Sequence, residues 1–160
     1  MSPIRQHSTA KLFCMTIIGC LVHAMLRASD SLPISRAPRT RVLIFNSSRT
    51  HILLVRNLAN PYTWTLPGGG YKPGEPAEQC AAREVQEELD IQIVCSKLTN
   101  ILEHSSIKTK LEYHYLQAII DNTSTNIKPS NEIIEAGWFD INNLPANKSS
   151  ALRKIINSLL

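Results

Sequence analysis

Cysteine is scarce in this chain of 160 residues, and none of it stands where a metal or redox motif would need it. Cys14, Cys20, Cys80 and Cys95 form no CxxC, which excludes a zinc ribbon and a thioredoxin-type redox pair. Only two of the four fall in the body of the chain, too few for a disulfide scaffold. Apolar runs long enough to span a bilayer, roughly 20 residues, are missing. The longest candidate, LFCMTIIGCLVHAML at 12–26, is interrupted by Thr16, Gly19 and His23. There is no internal repeat, no GxSxG elbow and no Walker loop. The histidines show no ligand spacing and read as surface or packing residues. With 43% hydrophobic and 19% charged residues, the balance is that of an ordinary globular protein. That excludes a disordered chain, a collagen-like fibre and a coiled coil.

Excess charge is absent from the body as well. The formal net charge is +4, and all of it lies in residues 1–40, where Arg5, Lys11, Arg27, Arg36 and Arg39 face only Asp30. A neutral body lacks the basic face that a nucleic-acid polymer requires, so no such partner is expected.

The length suits one domain and is short for two. Residues 28–40, rich in Ser, Pro and Arg, read as a linker, so the expected division is a tail at 1–40 and a domain at 41–160. Two readings of the tail stay open. One is an apolar helix lying on the domain or a membrane surface, in a cytoplasmic protein. The other is an export or anchoring signal: Arg5 and Lys11 precede the apolar run, Val22-His23-Ala24 resembles a cleavage site, and Ile17-Ile18-Gly19-Cys20 resembles a lipoprotein box. The mass of the N-terminus from native cells decides between them. An uncut, unacylated terminus is the expected result for a cytoplasmic protein, and cleavage or acylation overturns it.

Within the body, Val42–Phe45 and Ile52–Val55 flank a turn cluster at 46–50 and predict a hairpin. Ile52-Leu53-Leu54-Val55 is apolar throughout, so this strand is expected to be covered on both faces. A loop containing Asn60-Pro61 leads to Gly68-Gly69-Gly70. A helix is expected from Pro76 to Leu89, with Pro76 in the first helical position. Further strands are expected at Ile91–Cys95, Ile101–His104, Leu111–Ile120 and Gly137–Asp140. Apolar residues at helical spacing from Ala151 to Leu160, behind Ser149-Ser150 as a cap, predict a terminal amphipathic helix. Helices on both faces of a mixed sheet are the natural packing of such a list.

The chemistry concentrates in 66–91. At about 100° per residue, Ala77, Ala81, Val85 and Leu89 form one stripe of the helix, and Glu84, Glu87 and Glu88 gather on an arc beside it. Glu88 leans into the packed edge. Arg83 is placed to pair with Glu87 four residues on, but one guanidinium does not neutralise three acids. An oxygen-seeking divalent cation does, and Mg²⁺ or Mn²⁺ is the natural candidate. The glycine triplet ahead of the helix lets backbone approach a ligand closely.

These residues match the Nudix box, G-x5-E-x7-R-E-U-x-E-E-x-G-U with U aliphatic: Gly69, Glu75, Arg83-Glu84-Val85, Glu87-Glu88 and Ile91. Asp90 stands where the box has its last glycine, a turn position just past the helix where positive φ is common. Leu53-Leu54-Val55-Arg56, Trp64–Gly69, Glu135–Phe139 and Leu144-Pro145 also resemble this family, which covers roughly 41–160. The resemblance implies an α/β/α sandwich around a mixed sheet. It implies a metal-dependent pyrophosphohydrolase that cuts the diphosphate linkage of a nucleoside diphosphate joined to another moiety. It implies Glu84, Glu87 and Glu88 as Mg²⁺ ligands, Arg83 orienting them, and Gly68, Gly69 and Gly70 supporting the phosphates. A further carboxylate from a later loop is expected, with Glu132 the candidate and Glu135 the runner-up. Glu75 reads as a loop brace. Arg56 is a candidate for a substrate phosphate, or a structural arginine at the end of a buried strand. The competing function is a catalytically weak nucleotide-binding regulator on the same fold. Neither the proline marker of ADP-ribose hydrolases nor the tyrosine marker of dinucleoside polyphosphate hydrolases is in place, so the substrate beyond a nucleotide derivative stays open.

Overall fold

The computed structural model describes residues 4–5, 38–105, 111–121 and 126–159. The apolar run at 12–26 lies outside them, as do Asn122–Thr125 and Leu160. Among the described residues no helix is long and apolar enough to cross a membrane.

The strands are β1 (Ile4–Arg5), β2 (Arg39–Asn46), β3 (His51–Asn57), β4 (Asn60–Thr65), β5 (Thr99–Ser105), β6 (Glu112–Ile120) and β7 (Ile133–Asp140). The helices are α1 (Ala77–Leu89) and α2 (Ser150–Leu159), with a 3₁₀ turn at Cys95–Lys97. One sheet runs β1-β7-β3-β2-β6-β5, with β4 paired to β3. Only β2–β6 is parallel, so the sheet is mixed.

The strand period of two explains the layers. Val42, Ile44, Leu53 and Val55 point to one face, where they pack with Ala81, Val85 and Leu89 of α1. Leu43, Phe45, Ile52 and Leu54 point to the other, with Trp64, Leu66 and Leu152, Ile155 and Ile156 of α2. Ile52–Val55 is therefore buried at every position, as its composition requires. The hairpin between β2 and β3 is held by Asn46. Its carboxamide donates to Ser48 Oγ at 2.9 Å and Thr50 Oγ1 at 3.1 Å and accepts the His51 N–H at 3.0 Å.

Several boundaries differ from expectation. Strand β2 starts at Arg39, two residues before the boundary expected at Arg41, because Arg39 and Thr40 already pair with Tyr113 and His114 of β6. Ile4 and Arg5 of the tail pair with Ala136 and Glu135. Pro61, expected in a loop, sits in β4, a strand outside the main path where a missing N–H is tolerated. Ile91–Cys95 is not a strand. The alternation that suggested one reflects Ile91 and Ile93 packing on the α1-side core without a ladder partner. Pro76 is the N-cap of α1, with extended ψ of 157°, and its carbonyl accepts the Cys80 N–H at 2.9 Å.

Helix α2 is capped by Ser149, whose Oγ accepts the Leu152 N–H at 3.1 Å. Leu152 is fully buried under the sheet. Leu152→Ala is expected to cost about 2–5 kcal/mol, read as a lower urea midpoint at unchanged slope. A change within about 0.5 kcal/mol would show that α2 does not carry this layer.

Candidate active site

The glycine loop is built onto the open flank of β2. There β2 has no partner from β3, whose register reaches only Ile44 and Phe45. The loop takes that place: Val42 N–H donates to Pro67 O and Thr40 N–H to Gly69 O, each at 2.9 Å. Gly68 has φ +127°, and a Cβ there would stand 2.5 Å from the Thr40 carbonyl oxygen. Both facts demand glycine. Gly69 is required for another reason: its missing Cβ is the space filled by the Glu84 carboxylate. Gly70 has nothing within 4 Å of a Cβ, so close approach does not explain it.

Arg83 joins this loop to the helix. Its Nε and Nη2 donate to the two oxygens of Glu75 at 2.7 and 2.8 Å, a bidentate pair. Nη2 also reaches Gly70 O at 2.9 Å. Nη1 is shared between Glu84 at 2.7 Å and Glu87 at 2.9 Å. The Arg83 bond holds the Glu75 carboxyl at a pKa of about 2, well below its ordinary value, although partial burial opposes this. The same bond to Glu75 raises the Arg83 proton affinity. Glu75 also accepts the Lys72 N–H at 2.9 Å, so it braces the loop.

Glu88 is different. No side-chain cation hydrogen-bonds to it among the described residues; its Oε2 accepts the Gly68 N–H at 2.9 Å. Burial is the largest influence and pushes its pKa up to about 7. The Gly68 N–H and the charge of Arg41 oppose that rise, and Glu84 and Glu132 add to it. Glu132 reaches this neighbourhood because its loop docks on the end of α1: Ser130 N–H donates to Glu88 O at 2.8 Å and Lys128 N–H to Leu89 O at 2.9 Å. Asp90 ends the helix in the left-handed region at φ 57°, its carboxylate held by Gln86 at 2.7 Å and Lys128 at 3.1 Å.

The donor type fits a hard divalent cation, while Glu84, Glu87 and Glu88 do not bring one oxygen each within 4.8 Å of one another. Among the described residues, the side-chain cations that pair with this acidic group are Arg83, with Glu75, Glu84 and Glu87, and Lys72, 3.7 Å from Glu87; none pairs with Glu88. Carboxylate oxygens suit Mg²⁺ or Mn²⁺. A raised Glu88 marks a site where added positive charge would be welcome.

A NUDIX domain model matches residues 35–159. The chain belongs to the Nudix family. Among curated proteins it is similar to the nucleoside triphosphatase NudI of Escherichia coli O1:K1, 32% identical over 87 residues. That match takes 49% of this chain and spans 62% of the relative's length. Among solved structures it resembles MutT of Aliivibrio salmonicida and Vibrio cholerae, at 21% identity and TM-score 0.61, covering 79% of this chain and 100% of the other. It also resembles the E. coli dihydroneopterin triphosphate pyrophosphohydrolase, at 22% identity and TM-score 0.60, covering 75% and 92%. These structural likenesses establish a Nudix fold.

Two expected residues of this Nudix domain stand together elsewhere. Arg56 and Glu135 are cross-strand neighbours on β3 and β7 and form an ion pair, and Arg56 lies 5.3 Å from the centre of the Trp64 ring. Glu135 is buried, so its carboxylate serves as the counter-ion of Arg56. Sequence spacing missed three features. Among the described residues, the ligand-type side chains whose atoms come within 4.8 Å of one another are Glu103, Glu112 and His114, on adjacent strands. Tyr71 OH meets His114 Nδ1 at 2.6 Å. Arg41 donates to the carbonyls of Gly68 and, at 3.3 Å, Thr40. Strand register joins Glu103, Glu112 and His114, and the docking of the glycine loop on the sheet brings in Tyr71 and Gly68, so no linear motif announces them.

The Glu75–Arg83 pair makes stability depend on acid. The folded pKa lies below the ordinary 4.5, so its contribution is complete above that pH and is lost as pH falls toward about 2. Urea midpoints between pH 6 and pH 3 are expected to fall more steeply for the wild type than for Glu75→Gln. Parallel curves would remove Arg83–Glu75 as the brace.

Proposed function

We propose that this Nudix protein is a divalent-cation-dependent pyrophosphohydrolase acting on a nucleoside diphosphate linked to another moiety. One arrangement carries the reading: Arg83 gathers Glu75, Glu84, Glu87 and the Gly70 carbonyl, while Glu88, bonded among the described residues to the Gly68 N–H alone, faces the same loop. Glu84, Glu87 and Glu88 would hold Mg²⁺ or Mn²⁺. The ion, when bound, polarises a phosphoryl oxygen and lowers the pKa of a bound water.

The chain's own residues do the rest. Gly68, Gly69 and Gly70 keep side chains out of the space beside the carboxylates, so a diphosphate approaches bare backbone. Arg83 keeps Glu84 and Glu87 in one orientation. Glu132, whose charge is felt at Glu88, is our candidate to take the proton of the attacking water. Arg56, engaged by Glu135, steadies the sheet beneath. A cavity of about 510 Å³ between the sheet and α2 includes Arg41, which touches Gly68. It is the place for the nucleoside, being of the size ligand sites have. Relatives that are a nucleoside triphosphatase and a pyrophosphohydrolase support the reaction class.

Phosphate-product release is assayed with Mg²⁺ and Mn²⁺ over a nucleotide panel. Glu88→Gln is expected to lower the rate about 10²–10⁴-fold with an unchanged circular dichroism spectrum. Full activity in that variant removes the metal assignment. Saturable nucleotide binding by the wild type without turnover supports the regulator instead.

A further inference from the structure

The cavity under α2 has an uneven chemistry. Its lining side chains include Arg41 and Lys154, two groups that only donate hydrogen bonds, and no carboxylate or carboxamide among the described residues. Among the described lining side chains, acceptors are confined to hydroxyls and to His104. Tyr113 and Tyr115 supply aromatic surface, their ring centres 6.5 Å apart and their planes tilted by 33°. Such a wall suits a planar base.

Arg41 is the cation best placed to discriminate. It lies beside Tyr115 in the β2–β6 register. It is partly buried, and that burial lowers its proton affinity, against the pull of Glu88. Among the described residues both of its hydrogen bonds leave from Nη1, to Gly68 O and Thr40 O. Nε and Nη2 have no partner there. Unpaired donors on a residue that lines the cavity gain hydrogen bonds from a ligand that supplies acceptors and none from one that supplies N–H.

We infer that this cavity selects keto nucleobases over amino nucleobases, with Arg41 as the specificity-determining residue. The inference rests on the reading above in placing a nucleoside there, and deepens it by naming the substrate class. A 6-keto purine offers O6 and N7 together to a guanidinium, and uracil offers O4. An adenine or cytosine amino group in the same place sets N–H against N–H. Lys154, on the α2 side, adds a second donor and no relief for an amino group.

Phosphate-free ligands test this without turnover. Inosine and adenosine differ in keto against amino at position 6, and uridine and cytidine differ likewise at position 4. Dissociation constants are measured by ligand-observed NMR on the full chain. Inosine and uridine are expected to bind about 10- to 100-fold tighter than their amino counterparts. Arg41→Lys, which keeps the charge and loses the fork, is expected to bring the ratio close to one. Tyr113→Leu is expected to weaken all four and keep the ratio. Ratios near one in the wild type, no measurable nucleoside binding, or displacement of inosine by millimolar inorganic phosphate each overturn the inference, the last in favour of an anion site. The outcome is separable from the hydrolase reading. A protein that hydrolyses nucleotides with ratios near one refutes the selection alone; a kept ratio without turnover refutes the activity alone.

Discussion

The guanidinium of Arg83 is where loop and helix become one object. Glycine loops have no preferred shape of their own, and crowded carboxylates on a helix repel. Arg83 answers both at once. It binds the loop through Gly70 O and Glu75, and the helix through Glu84 and Glu87. A planar fork with five donors does this; a lysine, a point charge on a flexible stem, would not hold two oxygens of Glu75 in register. With side-chain exposures of 18% for Arg83 and 11% for Glu75, solvent screens the pair little.

That clamp leaves an asymmetry among the three acids. Glu84 and Glu87 share one donor atom, and Glu87 is more than half exposed. Glu88 sits deeper, against the Gly68 N–H, with its carboxyl pushed up to about 7 by burial. The same glycine meets Arg41 through its carbonyl. Gly68 therefore links the carboxylate helix on one face of the sheet to the cavity on the other. The loop can reach both because it lies along the part of β2 that β3 leaves open.

Much of this was legible along the chain. The stripe of Ala81, Val85 and Leu89, the Arg83–Glu87 spacing and the turn at Asn46 depend on neighbours within a few residues, and local periodicity reports them faithfully. The strand expected at Ile91–Cys95 failed because alternating burial has two causes, a ladder or simple packing on a core, and composition does not separate them. Pro61 in β4 went unseen because an edge strand forgives a missing donor.

Arg41 shows the boundary most clearly. In one dimension it is a basic residue where a linker ends; in the fold it is a partly buried cation beside Tyr115, touching Gly68 27 residues away. The pairing of Arg56 with Glu135, 79 positions apart, is of the same kind. Spacing alone was enough for the acidic helix and its glycine loop, because i, i+3 and i, i+4 geometry is fixed by the backbone. That Arg56 stands opposite Glu135, and that Arg41 lies beside Tyr115 in the cavity wall, followed only from strand register, since a sheet brings distant residues together by hydrogen bonds that no local pattern encodes.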